Sequence, residues 1–408
     1  MQRIVSEMMV EAKALVKFLV EQAAEVRDGE GAAALERAVR QRGQAFLCVL
    51  LERLLQSVLD RQQQARRCPR CGVRRRHKGV RGRGLVSSVG AIRLEGPYWY
   101  CPRCREGQHA LEVLVAGSVS GVMRELLCLL GTCLSSFAKG SEACKKLLGV
   151  GLSTEMIWRL CRSEGRKVLA EPPAPPEVPQ GSELVGSCDG TMVHTRQDGW
   201  RELKAYRFEH PGGVYGGAYL ERSGRFVRRL RQAALGMRAW RASRIFFVSD
   251  AAEWIDKGVA VELPMAIRIV DIWHAYQHVH EAARKIHGEG TAKAASWSAR
   301  WCRHLREHGG RVTWWSLRRV RYKDKARQRA LEALLGYLDR HAERLDYPRY
   351  ERAGWPISSG PMESFCKQLG QRLKGPGMRW NRQNVDPMAA LVTLWTQGRW
   401  DDYWARAG

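Results

Sequence analysis

The chain has 408 residues, enough for two or three compact domains. Lys and Arg number 68 against 42 Asp and Glu, a net charge of +26. An excess this large points to a polyanionic partner, because each neutralised phosphate releases condensed counterions, with a solvated basic surface as the plainer alternative. Charge alone names only the partner class, since RNA or an acidic lipid surface also fits. No run approaches the roughly 20 apolar residues of a membrane span, so no membrane association is expected. The opening MQRIVSEMMVEAKALV contains acids and no apolar core closed by a small-residue cleavage site, so a secretory signal is not expected either. A soluble cytoplasmic protein follows from this reading.

Residues 1–66 read as an N-terminal helical region. Ile4, Met8, Ala12, Leu15, Phe18 and Leu19 recur at helical spacing, DGEG at 28–31 breaks the run, and Leu35, Val39, Phe46, Leu50 and Leu54 continue it. A helical hairpin and a dimer zipper both fit. From 67 to 115 the pattern changes to Gly, Arg and short alternating runs such as AIRLEGPYWY, the pattern of small strands joined by turns. Residues 116–170 return to helix. There SEACKKLLGVGLSTEMIWRLC has a helix, a glycine break and a Ser153/Thr154 start, a rhythm shared by helix-turn-helix units and plain helical hairpins. On the DNA-binding reading Arg159 is a candidate contact. EPPAPPEVPQ (171–180), with five prolines, is expected to be an extended spacer and a domain boundary.

The rest, 181–408, reads as α/β. ELVGSCDGTMVH, WRELKAYRFEH and GGAYLERSG are expected strands, followed by a helix and the apolar strand RIFFVSD. A short helix, the strand AIRIVD and a basic helical insertion at about 275–350 come next, with two late helices. Strands paired by hairpins and then crossing through helices predict a mixed sheet.

Twelve cysteines are present. Cys128, Cys133, Cys144 and Cys161 stand singly in apolar helical context, as small hydrophobes do in a reducing compartment. Cys68-Pro-Arg-Cys71 and Cys101-Pro-Arg-Cys104 differ. A pair of thiolates two residues apart turns both sulfurs toward one ion, and two such knuckles complete a tetrahedral S4 site for structural Zn2+. The 29 residues between Cys71 and Cys101 can hold a hairpin. This zinc ribbon is rich in cation (Arg66, Arg67, Arg70, Arg74, Arg75, Arg76, Lys78), with Tyr98, Trp99 and Tyr100 beside the second knuckle. Arg74, Arg75, Arg76 and Lys78 are candidate contacts to DNA phosphates.

Three carboxylates stand in informative places. Asp189 lies inside a strand, where Asp is rare, beside a glycine that leaves room for close approach. Asp250 ends an apolar strand, where ligands of α/β sheets gather. Glu363 opens a helix on the shoulder of its apolar stripe. Each also has an ordinary explanation: a turn, an N-cap and a helix-dipole partner. Asp271 and His274, at i and i+3 of a helix, share a face and are candidate accessory residues; Asp271 as plain N-cap is the alternative. His274 and His278 have metal-pair spacing but no evident third ligand.

SCDGTMV, VSDAAEWI, DIWHAYQHV and PISSGPMESFCKQLGQRLKGPGMRW, closing with GRWDDYW, resemble the DDE transposases of bacterial insertion sequences, nearest to the ISKra type and more distantly the Mutator type. The resemblance covers about residues 183–404. It implies an RNase H-like core in which Asp189 lies on the first strand, Asp250 ends the fourth and Glu363 opens a late helix. The family commonly has a Gly-Asp-Gly-Ala-like string at the second acid, whereas this chain has Ser249-Asp250-Ala251-Ala252. By this resemblance the acids hold two Mg2+ ions (Mn2+ is a possible substitute) for cleavage at element ends and joining of the freed 3′-OH to target DNA. Double-stranded DNA is the implied partner. A homodimer or larger assembly on DNA and a bacterial, nucleoid-associated location are also implied. Arg318, Arg319 and Arg321 of the insertion, and Lys367, Arg372 and Lys374 near Glu363, are candidate DNA contacts. Trp314 and Trp315 fit either base stacking or helix packing. A non-enzymatic zinc-ribbon DNA-binding regulator (a domesticated transposase) and a nuclease that cuts without joining remain open alternatives.

Overall fold

The computed structural model describes residues 2–61, 67–115 and 117–407. Arg66 of the ribbon's basic run therefore lies outside the described residues. The chain forms two compact units. One ends at Cys161 and takes in the C-terminal residues from Asp402; the other is Arg162–Asp401.

The first unit begins with α1 (Gln2–Ala24) and α2 (Gly29–Arg61). The expected break is shorter than DGEG suggests, because the Asp28 carboxylate accepts the Gly31 amide at 2.8 Å and starts α2 at once. Strands β1 (Arg76–Ser87), β2 (Gly90–Cys101) and β3 (Glu106–His109) form an antiparallel sheet in that order. Alternation along β2 buries Ile92 and Leu94 against Leu85 of β1, Leu59 of α2 and Leu111, and leaves Arg93 and Glu95 outward. Beyond the reach of short β3, the free edge of β2 is covered by α2. Glu52 accepts the Arg93 amide at 3.0 Å, while Gln56 both accepts the Glu95 amide (2.9 Å) and donates to its carbonyl (2.8 Å). An unpaired strand edge is thereby closed.

Helices α3 (Gly121–Cys133), α4 (Phe137–Leu148) and α5 (Thr154–Ala170) follow. The turn after α4 is made by Gly149 at φ +67°, a left-handed position that favours glycine. Ser153 caps α5 by accepting the Met156 amide at 3.2 Å, as its place before Thr154 predicts. The division into compact units falls within α5. The proline-rich segment after it is no free spacer: Val178 is fully buried and donates its amide to the Met237 carbonyl at 2.8 Å.

The second unit carries β4 (Glu183–Thr195), β5 (Gly199–His210), β6 (Gly213–Tyr219), α6 (Ser223–Gly236), β7 (Arg244–Ser249), α7 (Glu253–Glu262) and β8 (Ala266–Val270). The five-stranded mixed sheet has the order β6-β5-β4-β7-β8, with β6, β5 and β4 antiparallel and β4, β7 and β8 parallel. Both faces of β7 are buried, as its unbroken Ile-Phe-Phe-Val run predicts. Ile245 and Phe247 join Leu184, Cys188 and Phe208 beneath α6 and α7. Phe246 and Val248 face the other layer.

That second layer is the helical insertion: α8 (Ile272–His287), α9 (Ala292–Leu317), α10 (Lys325–His341) and α11 (Tyr347–Arg352). Leu305, Leu331, Leu338 and Tyr347 are among its fully buried side chains. Helices α12 (Gly360–Leu373), α13 (Val385–Thr396) and α14 (Trp400–Ala407) complete the chain, with α12 packed on β4 and α13 on β6. No helix among the described residues is long and apolar enough to cross a membrane.

Candidate metal centres

The parallel register brings two of the expected acids together. Ser187 pairs with Val248 across β4 and β7, and continuing that register by two residues sets Asp189 level with Asp250. Partners at one level of a parallel pair point to the same face, and adjacent strands lie about 4.8 Å apart. The same step across β8, from Ser249 opposite Val270, sets Asp271 level with Asp250. Three aspartates therefore stand at one level across three neighbouring strands, Asp189 in the middle of β4 and Asp250 and Asp271 just past the ends of β7 and β8.

Their environments differ. Asp189 is half-buried, and its carboxyl is raised above the usual range. Burial is the main cause, and the nearby Asp250 charge adds to it. The Gly190 amide, donating at 2.6 Å, the field of His274 and the Cys366 thiol pull the other way. Gly190 leaves room that the Glu202 side chain occupies, so a Cβ in its place would make Glu202 shift. Asp250 accepts the Ala252 amide at 2.9 Å in a short turn, but it does not cap the following helix as its sequence position allows: Ala252 is the N-cap residue of α7, with no side-chain cap bond.

Ala251, between them, has φ +65°. That left-handed conformation costs an L residue roughly 1–2 kcal/mol and suits glycine. Ala251 is thus a strained alanine holding the turn. Ala251→Gly is expected to raise stability by about 1 kcal/mol in chemical unfolding, since relief of φ strain exceeds the entropy lost with glycine. A destabilised variant would remove the case for strain.

Glu363 arrives from α12. One turn along that helix lies buried Cys366, whose thiol is pushed well up by burial and by the charges of Asp189 and Glu363. Cys366 thus lies where the helix bearing Glu363 packs on the strand bearing Asp189, a neighbourhood its place in an apolar stripe did not reveal. The Glu363 carboxylate itself is exposed and pairs with Lys367 at 3.0 Å. Lys367 is accordingly engaged by the acid it was expected to accompany.

Asp271 is the N-cap of α8, accepting the Trp273 and His274 amides at 2.7 and 3.3 Å. His278 stacks on Tyr337 at 3.8 Å and is lowered chiefly by burial. Arg372 is 3% exposed, with its guanidinium 5.2 Å from the Trp380 ring. It packs inside the fold, and as placed it does not line a DNA surface. Lys374 is exposed near Trp200. In the insertion, Arg318, Arg319 and Arg321 are exposed. Trp314 packs partly on the helical core, whereas Trp315 is 53% exposed, and the Arg318 guanidinium lies about 5 Å from both rings. Packing thus accounts for the first tryptophan only. Arg159, on α5, is exposed and paired with Glu155 at 2.8 Å.

In the first unit, the ligand sulfurs of Cys68, Cys71, Cys101 and Cys104 all lie within 4.8 Å of one another. Cys71 and Cys101 are 3.5 Å apart, and Cys68 and Cys104 4.0 Å. A tetrahedron with 2.3 Å zinc–sulfur bonds has edges of about 3.8 Å, so the cluster can hold zinc. The Cys104 amide donates to Cys101 Sγ at 3.4 Å, as expected of a knuckle that stabilises thiolate. The Arg70 amide likewise holds Cys68 down to about 7, whereas Cys71 and its neighbours push Cys104 up to about 12. Among the described residues this is the one group of three or more His, Cys, Asp or Glu side chains close enough to share an ion; Asp189, Asp250 and Glu363, with Glu363 turned to Lys367, do not form such a group. Arg74, Arg76 and Lys78 are exposed on or beside β1. Arg75 is not: it is buried, bonded to Gln108 and to the Arg67 carbonyl, and braces the ribbon from within.

No family model matches the chain, and no curated protein matches it. Among solved structures, a chain of the "Drosophila P element transposase strand transfer complex" is similar over 72% of this chain and 81% of that one, at 9% identity and a TM-score of 0.25. A likeness that slight carries no argument. What the molecule's own features define is a strongly basic, mixed α/β protein with a four-cysteine cluster able to hold zinc.

Proposed function

We propose that the protein is a DDE transposase of insertion-sequence type, with an RNase H-like core formed by β4–β8. The observation that carries the reading is the parallel register of β4 and β7, which, continued two residues beyond its last pair, sets Asp189 level with Asp250, with the helix bearing Glu363 packed on β4. The first acid on the first strand of the sheet, the second just past the fourth, and the third in the first turn of a late helix also agree with the resemblance.

Asp189, Asp250 and Glu363 are the residues that would hold Mg2+ or Mn2+. Three carboxylates are an all-oxygen donor set, which suits these hard cations. When bound, two such ions supply a nucleophile of lowered pKa and stabilise the departing oxygen. The Asp189 carboxyl, raised by burial and by Asp250, is a group whose charge a divalent cation would satisfy. Glu363 must leave Lys367 to join it, and phosphate is the natural exchange partner for that lysine. In the first step water adds to the phosphate at the element end, the bond to the 3′ oxygen breaks, and a 3′-OH is released. In the second, that hydroxyl adds to a target phosphate and displaces a target 3′ oxygen, its proton passing to solvent. His274, within the field of Asp189, and Asp271 act as accessory residues. Arg74, Arg76 and Lys78 of the ribbon, and Arg318, Arg319 and Arg321 of the insertion, contact DNA phosphates.

The test uses duplexes carrying the element's ends. Native protein with Mg2+ is expected to nick them and, given a pre-cut end with a free 3′-OH, to join it to a second duplex. Nicking without joining would assign a nuclease. DNA binding with neither reaction would assign the regulatory alternative.

A further inference from the structure

Asp271 is 2% exposed, yet both its oxygens are occupied. Oδ1 caps α8 through the Trp273 and His274 amides. Oδ2 accepts the Ser359 amide at 2.5 Å and the Ser359 hydroxyl at 2.6 Å. Ser359 is the N-cap residue of α12, so two helix N-termini converge on one buried carboxylate. Their positive ends and four donors compensate its charge where water cannot.

The tie reaches Glu363 in two steps. The Ser359 carbonyl accepts the Glu363 amide at 3.1 Å and the Met362 amide at 2.8 Å. Beside it, the Ile272 amide donates to the Ile357 carbonyl at 3.0 Å, and the Asp271 amide to the Ser249 carbonyl at 2.8 Å, one residue before Asp250. The far end of α12 is fixed separately, for the Trp380 indole donates to the carbonyl of Leu373, its last residue, at 3.0 Å, and the Trp380 amide donates to the His194 carbonyl on β4 at 3.0 Å. Only the first turn of α12, where Glu363 stands, depends on Asp271 among these bonds.

We propose that Asp271 and Ser359 form a clamp that positions Glu363 beside Asp189 and Asp250, so that Asp271 is a positioning residue and not a metal ligand. This rests on the carboxylate reading above. With its lone pairs facing four donors, Asp271 has little left to offer an ion, although it stands level with Asp250. Ser359, in contrast, gains a role that nothing in its serine-glycine-proline surroundings suggests.

The experiment compares Ser359→Ala, Ser359→Thr and Asp271→Asn with Asp324→Ala, which removes the equivalent N-cap of α10 (Asp324 Oδ1 accepts the Arg327 amide at 2.9 Å). Amide hydrogen exchange is read in zinc-loaded protein free of Mg2+ and Mn2+. Loss of one hydrogen bond to a charged group is expected to speed exchange at residues 359–363 by about tenfold in Ser359→Ala, and more in Asp271→Asn. Ser359→Thr, which keeps the hydroxyl, is expected to match native protein. Asp324→Ala is expected to loosen α10 only. Mn2+ titration by calorimetry is expected to show affinity about tenfold weaker in Ser359→Ala and unchanged in Asp324→Ala. Cleavage by Ser359→Ala is expected to recover near-native kcat at saturating Mn2+.

Native-like exchange and Mn2+ affinity in Ser359→Ala would overturn the clamp. So would an Asp271→Asn protein that loses Mn2+ binding while exchange at 359–363 is unchanged, because Asp271 would then be a ligand. Full cleavage by Glu363→Gln would instead overturn the catalytic reading, and exchange at 359–363 tells the two failures apart.

Discussion

Asp189→Asn is expected to lower DNA cleavage about 10³-fold or more while the protein stays folded and, without metal, becomes slightly more heat-stable. The loss corresponds to about 4 kcal/mol of transition-state stabilisation, the scale on which a metal-held carboxylate acts. The gain comes from the same residue's electrostatics. Asp189 is half-buried beside Asp250, and both features raise its carboxyl. A group that binds its proton more tightly folded than unfolded favours folding below its unfolded pKa. That contribution is lost as pH rises through the folded value. At neutral pH the native carboxylate is therefore a liability in metal-free protein, and asparagine removes it without changing shape. Asp250→Asn is expected to lose activity likewise. Native-level cleavage by either variant sinks the catalytic proposal. A metal-free melting temperature that falls well below native would show that Asp189 is a structural residue instead.

This pairing of impaired function with kept stability bears on how much of the site could be read from residues alone. Asp189, Asp250 and Glu363 were individually ordinary, since a turn, an N-cap and a dipole partner each account for one. Asp250 does make a short turn, through the Ala252 amide. The strand register is what distinguishes it, and register depends on pairing between segments some 60 residues apart, which local pattern does not encode. Strands β4–β8 and the helical insertion were legible because their apolar periods are long and regular. Cys366 was hidden because a cysteine in an apolar stripe looks the same whether it meets a leucine or a carboxylate. Arg75 and Arg372 read as surface cations for a similar reason: a guanidinium can be buried when Gln108 or Trp380 receives it, and neither partner shares a helix or strand with its arginine. The strain at Ala251 left no trace, because an alanine in sequence does not announce a positive φ.

Zinc removal is expected to have the second large effect, confined to DNA binding and the ribbon. The ribbon's apolar cluster lies toward its far end, where Leu85, Ile92 and Leu94 meet Leu59 of α2. At the near end β3 pairs with β2 only over residues 98–101, and the knuckles carry Arg67, Arg70, Arg103 and Arg105. A four-thiolate zinc site has a net charge of about −2 and an apparent binding free energy of about 10–16 kcal/mol in small domains. Without it those arginines repel, and the Arg70–Glu106 pair, largely exposed, contributes little. A strong chelator, or Cys101→Ser, is therefore expected to release amide protection at residues 67–76 and 98–109. Protection at 85–95 and throughout β4–β8 is expected to persist. Because Arg74, Arg76 and Lys78 are held by this end, the slope of log affinity against log salt for duplex DNA is expected to fall by about 0.9 for each phosphate that is no longer neutralised. Readdition of Zn2+ is expected to restore both. Unchanged protection at 98–109 after verified zinc release would show that hydrogen bonds alone hold the knuckles. An unchanged salt slope would place the DNA-binding surface elsewhere, with the exposed arginines after α9 as the next to replace.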